Sequence, residues 1–314
     1  EEEYEALVYK TKVVKSHNGW FTPKEVLFAF RSWGSALTKE NLEKWMSNYS
    51  ITKDLNKTVA IIMAGNIPMV GLHDLISVYI LGGNVKAKLS SDDDLLIPAL
   101  VKVLALFDVD VEEKIKFIPF KLEGFEAVIA TGSNNTARYF ETYFGKYPNI
   151  IRKNRTSVAV LTGEESKEEL ENLANDVFMY YGLGCRNVTK LFLPKNYDLD
   201  HIFGAFFGHE YVATNNKYAN NYDYHKAVYL MEQHDMIENG FLLMKEDESL
   251  HSPIGMLFYE FYGSRDEVNE YLNENEKEIQ CVVAKDKTPF GNSQQPQLWD
   301  YADNIDVISF LLKL

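Results

Sequence analysis

Thr58-Val59-Ala60-Ile61-Ile62-Met63, followed at once by Ala64-Gly65-Asn66-Ile67-Pro68, decides the fold class of this chain. The first six residues form a short β-branched and apolar run, the mark of a buried strand. The next segment, with its glycine and proline, reads as a turn. Gly71 to Leu81 then reads as a helix and Val85 to Leu89 as a second strand. A strand, a turn, a helix and a strand in that order imply a mainly parallel sheet covered on both faces. Ligands of such sheets sit outside the carboxyl ends of the strands.

The alternation continues outward. Asp92 to Phe107 reads as a helix, Ile115 to Pro119 and Ala127 to Ala130 as strands, and Asn134 to Phe144 as a helix. A second block follows: strand Ser157 to Leu161, helix Ser166 to Tyr181, strand Lys190 to Leu193, and two helices within Asp198 to Gln233. Phe241 to Met244, Ile254 to Tyr262 and Ile279 to Ala284 are predicted strands, with a helix over Ser264 to Asn273. Upstream, Thr22 and Pro23 open a helical pattern as N-cap and N1 proline, and Asn41 to Tyr49 is a further short helix. The expected class is α/β in two domains. Residues 1–155 form the first, with the tail 288–314 packing back on it, and 156–287 form the second.

The 314 residues, 46% hydrophobic, suffice for two cores. No apolar run reaches the length of a membrane helix. Glu1, Glu2 and Glu3 carry the wrong charge for a secretory leader, so a cytoplasmic location is expected. The net charge of −14 argues against nucleic-acid binding, which needs a basic face. Lys86, Lys88, Arg152, Lys153 and Arg155 form small basic groups that could hold a phosphorylated cofactor or simply be solvated surface. The histidines are scattered and no metal site is expected. With only Cys185 and Cys281, and no CxxC, a zinc ribbon or redox motif is excluded and a reducing compartment is indicated. The Asn-x-Ser/Thr sequons, at Asn187 among others, read as chance.

Cys185 lies in Tyr181-Gly182-Leu183-Gly184-Cys185-Arg186-Asn187, between a helix and a strand. A cysteine on such a turn is a nucleophile candidate, and Arg186 could favour the thiolate. From spacing alone an idle thiol is the stronger reading. Cys281, in Ile279-Gln280-Cys281-Val282-Val283, reads as a core strand thiol. Asn66 places a side-chain amide beyond a strand's carboxyl end, where it could stabilise an oxyanion or merely make an Asx turn. Thr131-Gly132-Ser133 joins a strand to a helix and could hold phosphate or supply a plain helix cap. Ser90-Ser91-Asp92-Asp93-Asp94 reads as the charged first turn of a helix. Neither GxGxxG nor Gly-x-Ser-x-Gly occurs.

Taken in order, these segments resemble the aldehyde dehydrogenase superfamily. They are most similar to its acyl-CoA reductase branch, which includes the fatty-acid reductase component of bacterial bioluminescence. Ala64-Gly65-Asn66-Ile67-Pro68 resembles the superfamily's Pro-Trp-Asn-Phe-Pro. Gly83-Asn84-Val85-Lys86-Ala87-Lys88-Leu89-Ser90-Ser91 resembles its Gly-Asn-…-Lys-Pro-Ser-Glu strand, with a one-residue gap before Lys88. Ala130-Thr131-Gly132-Ser133 resembles Phe-Thr-Gly-Ser, and Gly182-Leu183-Gly184-Cys185 resembles Gly-Gln-x-Cys. Pro289-Phe290-Gly291-Asn292-Ser293 and Asp300-Tyr301-Ala302-Asp303 look like the branch's closing signature.

The resemblance implies a Rossmann-like cofactor domain followed by an α/β catalytic domain. It makes Cys185 the nucleophile and Asn66 an oxyanion donor, and puts Lys88, Ser90, Ser91, Thr131, Gly132 and Ser133 at the cofactor. It implies reduction of an acyl thioester of coenzyme A or acyl carrier protein to an aldehyde. Acyl-phosphate reduction, or non-catalytic binding of an acyl carrier or nucleotide, are the alternatives. Ile151-Arg152-Lys153-Asn154-Arg155 stands where hydrolytic members carry a general-base Glu, and has no carboxylate. Ser91 stands where a Glu would repel a 2′-phosphate, which favours NADPH over NADH; Lys86 adds to this if it reaches the face of Lys88. A homodimer is left open, because no oligomerisation segment is evident.

Overall fold

The computed structural model describes residues 1–314. They divide into two compact units, 1–154 with 297–314, and 155–296. No helix is long and apolar enough to cross a membrane.

The first unit begins with α1 (Glu2–His17), α2 (Pro23–Ala36) and α3 (Lys39–Met46). Then come β1 (Thr58–Ile62), α4 (Leu72–Ile80), β2 (Asn84–Lys88), α5 (Leu96–Leu104), α6 (Val111–Lys114) and β3 (Ile115–Phe117). It continues with β4 (Ala127–Thr131), α7 (Asn134–Phe144) and β5 (Asn149–Arg152). The five strands form a wholly parallel sheet in the order β3-β2-β1-β4-β5. Winding runs outward from β1 through β2 to β3, then resumes on the other side of β1 at β4. The switch point of the sheet therefore lies between β1 and β4. Ala60, Val128 and Ala130 are fully buried on one face beneath Phe125, Phe140, Phe144 and Tyr147.

The second unit runs β6 (Thr156–Val160), α8 (Lys167–Phe178), β7 (Val188–Pro194), α9 (Asp200–Phe206) and α10 (Asn216–Met231). It ends with β8 (Ile237–Glu238), β9 (Leu243–Glu246), β10 (Met256–Tyr262), α11 (Arg265–Glu274) and β11 (Ile279–Val283). The sheet order is β11-β6-β7-β10-β9-β8, parallel except for the β8–β9 pair. Capping boxes at Ser166/Glu169 and Ser264/Glu267 start α8 and α11. A core of Val158, Val160, Phe192, Val268, Leu272 and Ile279 fills one side of this sheet.

Several expectations are corrected. α1 was not foreseen: it is rich in Lys and Glu, and Val14 is its one buried residue, so its apolar stripe is too thin to read. β5 was missed because it is four residues long. The helix expected from Asp92 starts only at Leu96. Ser90 accepts the Asp92 amide through Oγ (3.2 Å) and the Asp93 amide through its carbonyl (3.1 Å), which makes 90–94 a turn. The tail expected from residue 288 divides. Residues 288–296 stay with the second unit, where the Asp176 carboxylate accepts the Gly291 and Ser293 amides at 2.6 and 2.9 Å. Residues 297–314, ending in α12 (Val307–Leu311), belong to the first unit. Tyr301 ties them there: its hydroxyl accepts from Trp45 Nε1 and lies against the Tyr49 hydroxyl, both at 2.6 Å.

Arg152, at the end of β5, is buried and pairs in bidentate fashion with buried Asp74 of α4, one contact at 2.8 Å. It is therefore an internal ion-pair member, not a basic surface group. Removing one partner of such a pair strands a buried charge, which costs about 3–5 kcal/mol. Asp74→Ala is expected to lower unfolding stability by that amount in urea titration, and the double variant Asp74→Leu/Arg152→Met to recover most of the loss.

Candidate active site

The first-unit candidates gather at one edge of their sheet. Asn66 follows β1, Ser90 and Ser91 follow β2 beyond Lys88, and Gly132 and Ser133 follow Thr131 at the end of β4. These strands are neighbours in the order β2-β1-β4 and point the same way, so all three loops leave the carboxyl edge around the switch point. Asn66, Lys88 and Ser91 are exposed. The loops after β1 and β2 are pressed together: a Cβ on Gly65 would sit 2.7 Å from Ser90 Oγ. Only glycine permits that approach. An edge of this kind suits a dinucleotide, although the chain lacks the usual glycine fingerprint. Ser133 Oγ accepts the Thr136 amide at 3.2 Å, so this residue caps α7.

Other basic groups are engaged in the framework. Lys86 shares the strand face of Lys88, but its ammonium donates to the carbonyls of Glu123 and Gly124 at 2.7 and 3.0 Å. It is thus held away from the role beside Lys88. Lys153 pairs with Glu141, and Arg155 donates to the carbonyls of Glu276 and Ile279.

Within the second unit, Cys185 precedes β7 and so lies at the amino end of its strand, on a turn made by its own neighbours. The Asn187 amide donates to the Gly184 carbonyl at 3.0 Å, closing a four-residue turn with Cys185 at the first central position. Asn187 Oδ1 accepts the Gly184 amide at 2.8 Å. Asn187 Nδ2 faces the carbonyls of Asp176, Val177 and Met179 at 3.1, 3.2 and 2.8 Å. The side chain is wholly buried. Just upstream, Tyr180, Tyr181 and Gly182 all have positive φ, at 52°, 57° and 79°. That left-handed run ends α8 at Phe178, although the helical pattern of the sequence extends to Tyr181.

Cys281 lies behind this turn. Ser157 Oγ donates to the Cys185 carbonyl at 3.0 Å, accepts the Cys281 amide at 3.2 Å and lies 3.1 Å from the Cys281 sulfur. Burial pushes the Cys281 thiol up, and Arg186 draws it back down through its charge and a hydrogen bond. Arg186, expected beside the Cys185 thiol, thus bears on Cys281.

Sequence reading missed three supporting side chains. In the sequence Asn187 stands out only as part of the cysteine segment and as a chance sequon, and Asp93 and Asp176 only as helix residues. Asp93 is buried, and its Oδ2 accepts the Met69 amide at 2.6 Å. It so fixes the far end of the turn that carries Asn66, where Met69 itself is left-handed at φ 57°. Its other oxygen, Oδ1, has no hydrogen-bond partner. No local signal marks an acid of this kind, because its partner is 24 residues away.

No protein-family model matches the sequence, and no curated protein matches it. Solved structures do match in fold. The aldehyde dehydrogenase of Mycobacterium tuberculosis, solved with NAD+, has a TM-score of 0.57 at 15% identity over 73% of this chain and 57% of its own. Indole-3-acetaldehyde dehydrogenase of P. syringae, also solved with NAD+, has a TM-score of 0.56 at 13% identity over 70% and 54%. The PutA protein of Anabaena variabilis, described as an aldehyde dehydrogenase, has a TM-score of 0.65 at 12% identity over 92% and 73%. The chain thus spans little more than half the length of the first two. Likeness at such identities defines the fold: parallel α/β, as in aldehyde dehydrogenases.

Burial raises the Asp93 carboxyl to about 7, opposed by its hydrogen bond from Met69, and raises Asp176 to about 6. A carboxyl raised on folding stabilises the native state fully below its unfolded value and loses that contribution as pH climbs through its folded value. The contribution of these two carboxyls to stability should therefore fall from about pH 4 to pH 7. Asp93→Asn keeps an oxygen for the Met69 amide but cannot ionise. Urea midpoints at pH 4.5, 6 and 8 should show a flatter profile for it, with a gain over wild type above pH 7 of up to about 4 kcal/mol.

Proposed function

We propose that this chain reduces an acyl thioester to an aldehyde through a covalent acyl-Cys185 intermediate, with a nicotinamide cofactor. The observation that carries this reading is the placement of Cys185 on a doubly closed turn in a chain with the aldehyde dehydrogenase fold. The residues at 151–155 support it further. They contain no carboxylate to activate water, and the buried one, Arg152, is spent on Asp74. An acyl-enzyme would then outlast the departure of its first leaving group.

The Cys185 thiolate attacks the thioester carbonyl and forms a carbon–sulfur bond. The oxyanion is stabilised by the Cys185 backbone N–H, a role implied by the resemblance, which also casts the Asn66 amide as an oxyanion donor. Collapse breaks the original bond and expels the thiolate of coenzyme A or a carrier protein. A bound nicotinamide supplies hydride to such a carbonyl carbon. Cys185 then departs as thiolate when the thiohemiacetal collapses to the aldehyde, ready for another turn. Lys88 and Ser91 are assigned to the ribose phosphate, which makes NADPH the favoured cofactor and NADH the lesser one. Thr131, Gly132 and Ser133 are assigned to the remaining cofactor contacts, and Ser90 to the loop that carries them past Gly65.

Three outcomes are expected. With acyl-CoA alone, intact-protein mass spectrometry should show one acyl adduct on wild type and none on Cys185→Ala; an adduct on that variant would end the nucleophile assignment. Labelling by acyl phosphate but not by acyl-CoA would redirect the donor. Asn66→Ala should lower kcat by roughly 100- to 1000-fold, as loss of one oxyanion donor does. Ser91→Glu should lower kcat/KM for NADPH by about tenfold or more while sparing NADH, because the new carboxylate faces the 2′-phosphate.

A further inference from the structure

Resting on the reading of Cys185 as nucleophile, we propose that Asn187 is the positioning residue of this site. Its buried carboxamide holds the Gly184 amide, one peptide before the one that enters Cys185, and so seats the backbone turn that sets the directions of the thiol and of the Cys185 N–H. A side-chain amide has two N–H donors and two acceptor lone pairs. Asn187 spends its oxygen on the Gly184 amide and its nitrogen on three carbonyls of the last turn of α8 and its extension. Those carbonyls belong to the group that a helix end leaves without partners. The left-handed run over Tyr180 to Gly182 prevents the helix from supplying them. One side chain therefore ties the end of α8 to the residue before the nucleophile.

The consequence for Cys185 is directional. Two residues on, the Asn187 backbone N–H draws the Gly184 carbonyl into the turn at 3.0 Å. The chain has no cis peptides, and in a trans peptide the C=O and N–H point opposite ways. The Cys185 N–H is thereby aimed out of the turn. Ser157 pins the next peptide through the Cys185 carbonyl. With both flanking peptides held, the Cα–Cβ bond of Cys185 has one direction. The Gly184 amide, taken by Asn187 Oδ1, is committed to the framework.

No other residue fits. Asp would turn an anionic oxygen toward three carbonyl oxygens. Ala would leave those carbonyls and the Gly184 amide without the partners they have now. Gln is a methylene longer in a space with no exposure.

The test uses the full chain, in which Cys185 and Cys281 are the only thiols. Iodoacetamide alkylation, read peptide by peptide, reports each separately. In Asn187→Ala the alkylation rate of Cys185 should change by about fivefold or more, while that of Cys281 stays as in wild type and shows the unit folded. Because misplacement by about 1 Å costs up to roughly 100-fold, kcat should fall at least tenfold with KM for acyl-CoA changed less than about threefold. If Asn187→Ala exposes Cys281, the isosteric Asn187→Asp is read in the same way. Unchanged Cys185 alkylation and unchanged kcat, with Cys281 alkylation also as in wild type, overturn the proposal. So does exposure of Cys281 in both variants, which makes Asn187 a stabiliser of the unit only. A wild type that is never acylated overturns the nucleophile reading instead, and the alkylation forecast still decides the role of Asn187.

Discussion

The need to satisfy buried backbone groups where α8 stops governs the second unit. A helix leaves its last carbonyls without partners, and here they end deep inside the protein. Orphaned polar groups at such depth cost about 1–3 kcal/mol each. One fully buried carboxamide, that of Asn187, meets them, and in doing so determines how the chain leaves α8, where the turn with Cys185 closes and how β7 begins. Two buried tyrosines are accepted in left-handed geometry as part of this arrangement, each at a cost of about 1–2 kcal/mol.

Buried acids play the same part elsewhere. Asp176 gathers the Pro289–Ser293 turn onto α8 through two amides. Asp93 takes the Met69 amide at the end of the Asn66 turn. Asp74 neutralises Arg152 at the carboxyl edge of the first sheet. In each case a side chain whose charge is expensive to bury is retained where a loop must be held in one position. Loops fixed by directional hydrogen bonds to a rigid sheet or helix make better platforms for chemistry than loops held by apolar contact alone.

The sequence made much of the framework legible, and for identifiable reasons. Thr58 to Met63 and Ala127 to Ala130 are continuous apolar runs because their strands are covered on both faces. The ends of α8 and α11 that carry Ser166 and Ser264 announce themselves by local capping chemistry. Asn66, Ser91 and Gly132 could be placed beyond strand ends for the same local reason. The start of α5 could not, because Asp93 serves a partner far away instead of its own helix. The stop of α8 was equally hidden, since Tyr180 and Tyr181 look like good core residues and nothing in their identity demands positive φ.

Sequence alone determined the α/β class and the alternation of strands and helices. Those follow from periodicity, turn chemistry and side-chain type, all of which act over a few residues. Tertiary structure decided the rest: that Lys86 and Arg152 belong to the framework, that the 289–293 turn stays with the second unit, and that Asn187 and Ser157 pin the peptides around Cys185. Hydrogen bonds across tens of residues leave no periodic trace, because their partners are chosen by distance in space after the sheets have formed.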